Sequence, residues 1–144
     1  MRIYLDNCCF NRPFDNQSQM RVRLESEAKL HIQEKVLSRD LELVWSYILD
    51  YENQMNPFGE RKKAIGRWKY RAVLDIDETR AILGRANALH EQGMKNKDAL
   101  HIACAFAGKC EYFVTTDDLV LKHARDVQGI KIVDPPTFVR EAAI

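Results

Sequence analysis

The sequence lacks long hydrophobic runs and glycine-rich loops. No stretch approaches the ~18 apolar residues that a helix needs to cross a bilayer. The segment Met1–Asp6 contains no apolar stretch of the length of a secretory signal. We therefore expect no membrane association. The six glycines form neither a G-x-G-x-x-G pattern nor a Walker loop, which excludes the common nucleotide-binding loops.

Neither sign of charge is in excess. The 22 basic and 21 acidic residues give a formal net charge of +1, which argues against a purely electrostatic nucleic-acid binder. The densest basic stretch is 61–71, where Trp68 and Tyr70 alternate with lysines and arginines. Two interpretations fit this stretch: it binds RNA phosphates and stacks bases, or it is the solvated face of a helix.

The four cysteines show no C-x-x-C spacing. They are Cys8, Cys9, Cys104 and Cys110. An adjacent pair suits neither a common disulfide nor a zinc knuckle, so free thiols in a reducing cytoplasm are expected. Cys8 and Cys9 follow Asp6 closely, and either a thiol role or packing as small buried side chains would explain them.

Short β-type runs alternate with amphipathic segments along the chain. The 144 residues, 46% of them hydrophobic, suffice for one domain with its own core. The alternation predicts an α/β domain over residues 1–144, with a parallel sheet covered by helices on both faces. Predicted strands cover 2–6, 41–45, 73–76, 112–115 and 130–133; predicted helices cover 18–37, 47–55, 59–70, 80–92, 98–107 and 119–127, with a short tail helix.

Local patterns refine the predicted helices. Ser46 and Thr79 each precede an apolar helical segment and are predicted N-caps. The helix 18–37 has a stripe of apolar residues with a four-residue spacing, which predicts that this stripe faces the core. The stripe consists of Met20, Leu24, Ala28 and Ile32, widened by Leu30, Val36 and Leu37.

Four acidic residues from distant parts of the chain are predicted to meet at one edge of the sheet. Asp6 ends the first strand, Glu52 lies in the helix after the second strand, Asp98 starts a helix, and Asp117 follows a late strand. Ligands bind at the carboxyl ends of parallel strands. A divalent cation would relieve the repulsion between these carboxylates, and oxygen ligands favour Mg²⁺ or Mn²⁺ over zinc. Such a site suits phosphodiester cleavage.

Simpler roles compete for some of these acids. Asp98 alone is also explained as a helix N-cap or as a partner of its helix dipole. Asp118 is better explained as the N-cap of the next helix than as a ligand, although an outer ligand role stays open. Asp50 and Glu52 are two residues apart on a helix, so their side chains point ~200° apart and only one of them faces the cation.

Four segments resemble the motifs of the PIN domain, the metal-dependent ribonuclease fold of the VapC-type toxins. Ile3–Asn7 resembles its first strand, and Ser46–Glu52 resembles its serine-to-glutamate segment. Asp98–Ala103 is similar to its third-acid helix, and Phe113–Asp117 to its late strand ending in Thr-x-Asp. The order and separations agree over nearly the whole chain. This register selects Glu52 rather than Asp50.

The resemblance implies a three-layer α/β/α sandwich with a mostly parallel sheet. It implies that Asp6, Glu52, Asp98 and Asp117 are catalytic and hold one or two Mg²⁺ or Mn²⁺ ions, with RNA as the substrate. It also implies a homodimer and an antitoxin partner. The expected function is a cytoplasmic endoribonuclease that acts as the toxin of a toxin–antitoxin pair. The alternative is a non-catalytic RNA- or protein-binding module of this fold, which the small net charge also suits.

Further residues near these acids are candidates for substrate binding. Asn7 either orients Asp6 or contacts substrate, or it is a turn residue. Arg12 is a candidate phosphate clamp. His101 lies three residues after Asp98 on the same helical face. It either positions a phosphate or a water, or it is a buried structural histidine.

Two threonines and one acid complete the set of candidates. Thr115 or Thr116 hydrogen-bonds a metal-bound water, or β-propensity alone explains both. Asp118 is a candidate for substrate binding at the periphery of the site.

The run Asp75–Thr79 matches the Asp-x-Asp-x-Thr pattern of haloacid-dehalogenase-type phosphotransferases. Their nucleophile ends a buried first strand, whereas this run lies mid-chain, so Thr79 as a helix cap explains it better.

Overall fold

A central parallel sheet organises the molecule. The computed structural model describes residues 1–144. The strands are β1 (Arg2–Leu5), β2 (Glu42–Ser46), β3 (Leu74–Ile76), β4 (Tyr112–Val114) and β5 (Lys131–Val133). Their order is β3-β2-β1-β4-β5, and every pairing is parallel. The first strand of the chain therefore lies at the centre, with β2 and β4 on either side.

Eight helices surround the sheet. Tyr112 of β4 packs edge-on against Phe138, whereas the adjacent Phe113 stacks with Tyr4, whose ring contacts His101. Since successive strand residues point to opposite faces, the helices that carry Phe138 and His101 lie in opposite layers. None of the helices combines the length and the apolar character needed to cross a membrane. The helices are α1 (Asn7–Asn11), α2 (Met20–Leu37), α3 (Tyr47–Gln54), α4 (Gly59–Gly66), α5 (Arg80–Glu91), α6 (Asn96–Ala107), α7 (Asp118–Lys122) and α8 (Pro135–Ala142).

The inner strands and α6 supply most of the core. Tyr4 and Phe113 are fully buried and stack with their ring centres 5.3 Å apart. Phe10 packs edge-on against Trp45 at 5.4 Å. Each such side chain contributes about 1.5–3 kcal/mol through burial. This packing holds the ends of the strands in place. It thereby positions the residues that follow β1, β2 and β4.

The predicted alternation of strands and helices is confirmed, as are both predicted caps. The hydroxyl of Ser46 accepts a hydrogen bond from the Leu49 N–H at 3.3 Å, and that of Thr79 accepts one from the Ile82 N–H at 3.2 Å. The three-residue strand β3 forms the sheet edge. Asp75 is exposed on that edge strand and pairs with Lys69. The short helix α1, directly after β1, was not predicted.

The predicted inward face of α2 is only partly correct: Ile32 and Val36 are buried, but the other large apolar side chains of the stripe are exposed. Met20 is 60% exposed and Leu24 is 55% exposed. The buried face also carries four polar side chains, of which Glu25 and Ser26 find polar partners inside the protein. Glu25 forms an ion pair with Arg12 at 3.2 Å. The residues of this face are Val22, Glu25, Ser26, Lys29, Ile32, Gln33 and Val36.

Two predicted helix starts are also wrong. Helix α6 begins at Asn96, so Asp98 lies in its first turn and is not the N-cap. Helix α7 is capped by Asp117, whose Oδ1 accepts a hydrogen bond from the Leu119 N–H at 2.8 Å. Asp118 is therefore not the cap. Helix α7 ends at Lys122 rather than at residue 127, and a 3₁₀ turn over Ala124–Asp126 follows it.

Gly108, directly after α6, allows close contact with β2. A Cβ atom at this position would lie 2.8 Å from Cγ1 of Val44, a residue of the central core. We expect Gly108→Ala to lower the free energy of unfolding by about 1–3 kcal/mol through overpacking. Gly84→Ala on α5 is the matched control, because nothing lies within 4 Å of its Cβ position. It should stabilise the protein by about 0.5–1 kcal/mol. Equal effects in urea unfolding would refute the packing argument.

Candidate metal centre

An acidic cluster lies where the inner strands end. Asp6 directly follows β1, and Glu52 lies in α3, which begins where β2 ends. Helix α6, which belongs to one of the two helical layers, contributes Asp98 and His101. Thr115 directly follows β4. Because the strands are parallel, their carboxyl ends meet at one edge, and residues far apart in the chain come together there.

Asp6 is 6% exposed, and three hydrogen bonds fix its backbone N–H and its carboxylate. Its backbone N–H donates to the carbonyl oxygen of Val114 on β4 at 2.9 Å. Its Oδ1 accepts from the Asn7 N–H at 2.8 Å, so Asp6 caps α1. Its Oδ2 accepts from the buried hydroxyl of Thr115, also at 2.8 Å. The carboxylate is therefore fixed in orientation by β4 and α1.

Glu52 is held from two sides. Its Oε2 accepts a hydrogen bond from Nδ2 of Asn7 at 3.2 Å. Its Oε1 accepts a short hydrogen bond from Nε2 of His101. Burial raises the pKa of Glu52, but the bond and charge of His101, with Lys97 and Asn7, outweigh burial and lower it overall. Glu52 is therefore ionised, and the Nε2 atom that it faces carries a proton because a carboxylate only accepts.

A buried hydrogen-bond chain continues from His101 into the core. Nδ1 of His101 lies 2.6 Å from the hydroxyl of Tyr4, which lies 2.6 Å from the hydroxyl of Ser46. His101, Tyr4 and Ser46 are all fully buried. This chain ties α6, β1 and the start of α3 together and fixes the ring of His101 against Glu52.

The donor groups suit a divalent cation. One atom from each of Asp6, Glu52 and His101 lies within 4.8 Å of the others. The carboxylates are the ligands available in this arrangement, because Nε2 of His101 donates a hydrogen bond to Glu52. Burial, together with the charges of Asp6 and Asp117, raises the pKa of Asp98 to about 6. Asp98 is thus close enough to the other acids to be repelled by them. Excess negative charge at one point, fixed by surrounding hydrogen bonds, is the condition that a bound cation relieves.

Arg12 and Asp118, two candidates for substrate binding, form ion pairs within the protein. Arg12 pairs with Glu25 and with Asp15, away from the acidic cluster. Asp118 is exposed and forms a bidentate ion pair with Arg21 at 2.7 and 3.0 Å. The carboxylate of Asp117 caps α7, and its N–H donates to Thr115 at 3.1 Å, which links it to the residue that holds Asp6.

Asp50 and the basic stretch form a separate surface. Asp50 accepts a hydrogen bond from Nε1 of Trp45 at 2.9 Å and pairs with Lys69 at 3.0 Å. It therefore points away from Glu52, as the helical spacing predicted. Within the basic stretch, Arg61 pairs with Asp15 at 3.2 Å, and Tyr70 is 86% exposed.

Sequence reasoning missed Tyr4 and Ser46 as supports of the site. Tyr4 is the one polar side chain of the central strand's interior, Ile3–Leu5, which is a usable signal because a buried hydroxyl needs a partner. Ser46 was assigned only as a cap, and it also binds Tyr4. Cys8 lies beside this set: its Sγ is 3.4 Å from Oγ1 of Thr115. All four cysteines are free thiols.

Asp98→Asn should stabilise the protein in metal-free buffer near neutral pH. The pKa of Asp98 is raised from 3.8 to about 6 on folding. The folded state therefore binds this proton more tightly, and stability is lost as the pH rises from about 4 through 6. Solvent screens part of the effect because the group is only half-buried, so we expect a gain of a few degrees in Tm at pH 7.5.

Two comparisons test this pH argument. The gain should vanish at pH 4, and Asp126→Asn, at a carboxylate that is 67% exposed, should leave Tm unchanged at both pH values. Added Mg²⁺ or Mn²⁺ should raise the Tm of the wild type more than that of Asp98→Asn. A variant less stable than the wild type at pH 7.5 without metal would contradict the repulsion between these acids.

Comparison with known proteins identifies the fold. No protein-family model matches the sequence, and no curated protein matches it. Two solved structures match with 15% and 17% identity and TM-scores of 0.57 and 0.59. The first is VapBC2 from Rickettsia felis bound to a DNA fragment from their promoter; the match covers 92% of this chain and 97% of that chain. The second is VapBC-1 from nontypeable Haemophilus influenzae, with 94% and 98% covered. The predicted architecture is thereby confirmed, and the chain has the PIN-like α/β/α fold of VapC structures.

Proposed function

We propose that this chain is a metal-dependent endoribonuclease and the toxin of a toxin–antitoxin pair. The observation that carries the proposal is the meeting of Asp6, Glu52 and His101, with Asp98 close by, at the carboxyl edge of the sheet. This is the edge at which α/β proteins bind ligands. The likeness in fold to chains of VapBC structures supports the same assignment.

The cation would be held by Asp6, Glu52, Asp98 and Asp117, and the carboxylate oxygens favour Mg²⁺ or Mn²⁺. When bound, the ion would lower the pKa of a water and stabilise the charge that develops on the phosphate. The chain's own residues orient the acids. Hydrogen bonds to Thr115 and Asn7 fix Asp6. In the reaction, water attacks phosphorus in line, and the bond to the leaving ribose oxygen breaks.

A matched pair of variants on α3 tests the assignment. Glu52→Gln should lower the rate of RNA cleavage in Mg²⁺ or Mn²⁺ by at least about 100-fold. Asp50→Asn changes an acid on the same helix that faces Lys69, and it should cleave RNA like the wild type. Chelation should abolish cleavage by the wild type. The readout is the cleavage rate of a fluorescent RNA.

The outcomes separate the two candidate functions. Loss of activity in both variants would contradict the position assigned to the active site. If the wild type cleaves no RNA in either metal and calorimetry shows no Mn²⁺ binding, the non-catalytic module of this fold becomes the better proposal.

We also propose a cytoplasmic location, an antitoxin protein as partner and a homodimer as the assembly. The antitoxin rests on the VapBC structures that the chain resembles. The apolar residues exposed on α2, with Met20 at 60% and Leu37 at 52%, support a surface that another protein covers. Light scattering of the purified protein, alone and co-expressed with a small DNA-binding protein encoded by a neighbouring gene, tests both partners.

A further inference from the structure

Lys29 is a buried cation without an acidic partner. It lies on the inward face of α2 and is 2% exposed. Its Nζ lies 5.2 Å from the ring centre of Phe10 and 5.9 Å from that of Trp68. Burial lowers the pKa of Lys29 to about 8; the nearby Cys9 opposes this shift, and no carboxylate does. Aromatic rings compensate only part of the lost hydration of an ammonium group. An anion is therefore the group that this position lacks.

A cavity opens beside this ammonium group. Its volume is about 210 Å³, and it lies between α2, α4 and the turn after α1. Phe10, Phe14 and Trp68 give it aromatic walls. Its polar side chains are Lys29 and Gln33, one helical turn apart on α2. None of the residues that line it belongs to the acidic cluster, so the cavity is separate from the proposed active site.

We infer that this cavity binds a small organic monocarboxylate with an aromatic or branched apolar body. The carboxylate would pair with the ammonium group of Lys29 and accept a hydrogen bond from the amide of Gln33. The apolar body would lie between Phe10 and Trp68. A site of this composition, mostly apolar with a few convergent polar groups, is typical of small-molecule pockets.

Size and charge both favour this class of ligand. An apolar cavity of about 150 Å³ holds benzene, so the 210 Å³ here has room for a benzene ring with one carboxylate. Phosphate and sulfate carry no apolar body and would leave the aromatic walls uncovered. A neutral aromatic compound would fill the walls but leave Lys29 without a counter-charge.

Benzoate and its neutral counterpart benzamide test the inference by calorimetric titration of the full chain. We expect saturable binding of benzoate with a millimolar or lower Kd. Lys29→Met keeps the shape of the side chain stem and removes the charge. It should weaken benzoate binding by at least about tenfold and leave benzamide binding unchanged.

A second variant keeps the ammonium group of Lys29 and fills the cavity. Ala64 lines the cavity, and Ala64→Leu should weaken the binding of benzoate and benzamide alike. Thermal unfolding shows that each variant is folded. The inference fails if benzoate gives no saturable binding to the wild type, if Lys29→Met binds benzoate as tightly as the wild type, or if Ala64→Leu binds it undiminished.

Discussion

Replacement of Asp6 by asparagine is expected to lower the rate of metal-dependent RNA cleavage by about 10²–10³-fold while the fold persists. The asparagine Oδ1 can still accept from the Asn7 N–H and so keep the cap of α1. Its amide can donate to the hydroxyl of Thr115, which rotates to accept. Both local hydrogen bonds therefore survive, and what disappears is the negative charge at the centre of the cluster.

Calorimetry and kinetics together separate charge from structure in this variant. Asp6→Asn should lose Mn²⁺ binding and cleavage in parallel. Its Tm in metal-free buffer should be no lower than that of the wild type, because the variant removes a charge that repels Asp98. Thr115→Val, which conserves volume and removes the hydroxyl that orients Asp6, should lower the rate by a smaller factor of about 10–100. Full activity in Asp6→Asn would exclude this edge of the sheet as the catalytic site.

The sequence was sufficient to bring Asp6 and Glu52 together because their positions follow from chain topology. Asp6 and Thr115 directly follow strands, and Glu52 lies in the helix that begins where β2 ends. The order of strands brings their carboxyl ends together whatever the details of packing. Positions of this kind depend on the presence and direction of the strands, which hydrophobic patterns predict even where individual helix starts are wrong.

The supporting contacts could not be predicted because they form between separate elements. The chain from Ser46 through Tyr4 to His101 joins β2, β1 and α6, whose residues are 42 and 97 positions apart. Each of the three residues has an ordinary local explanation as a cap, a strand residue or a core histidine. Only the packed structure shows that they bond to one another and hold Glu52.

The inward face of α2 was predicted only in part, at Ile32 and Val36, for a related physical reason. The periodicity rule assumes that apolar residues face the core. Here Glu25 and Lys29 face inward, because Arg12 pairs with the first and the rings of Phe10 and Trp68 cover the second. Burial of a charge is tolerated where tertiary partners exist, and a single-sequence pattern contains no information about those partners.

The second large effect is expected at His101, where His101→Leu should lower the free energy of unfolding by about 3 kcal/mol. His101 is fully buried, and the side chain of Glu52 that it binds is 20% exposed. Leucine fills a similar volume but leaves the ionised carboxylate without its main partner. Burial would then raise the pKa of Glu52. A domain of this size should lose roughly 10 °C in Tm. His31→Leu, at a side chain that is 38% exposed, should change stability by less than about 0.5 kcal/mol.

A double-mutant cycle shows whether that loss comes from Glu52 or only from packing. Glu52→Gln removes the carboxylate that His101 binds, so adding His101→Leu to it should cost less than His101→Leu alone. We expect a coupling free energy of at least about 1 kcal/mol between the two positions. The same cycle in RNA cleavage should show no further loss in the double variant, because a misplaced Glu52 and an absent carboxylate are the same defect. Additive losses in stability would mean that His101 is only a packing residue, and Glu52 would then need another support.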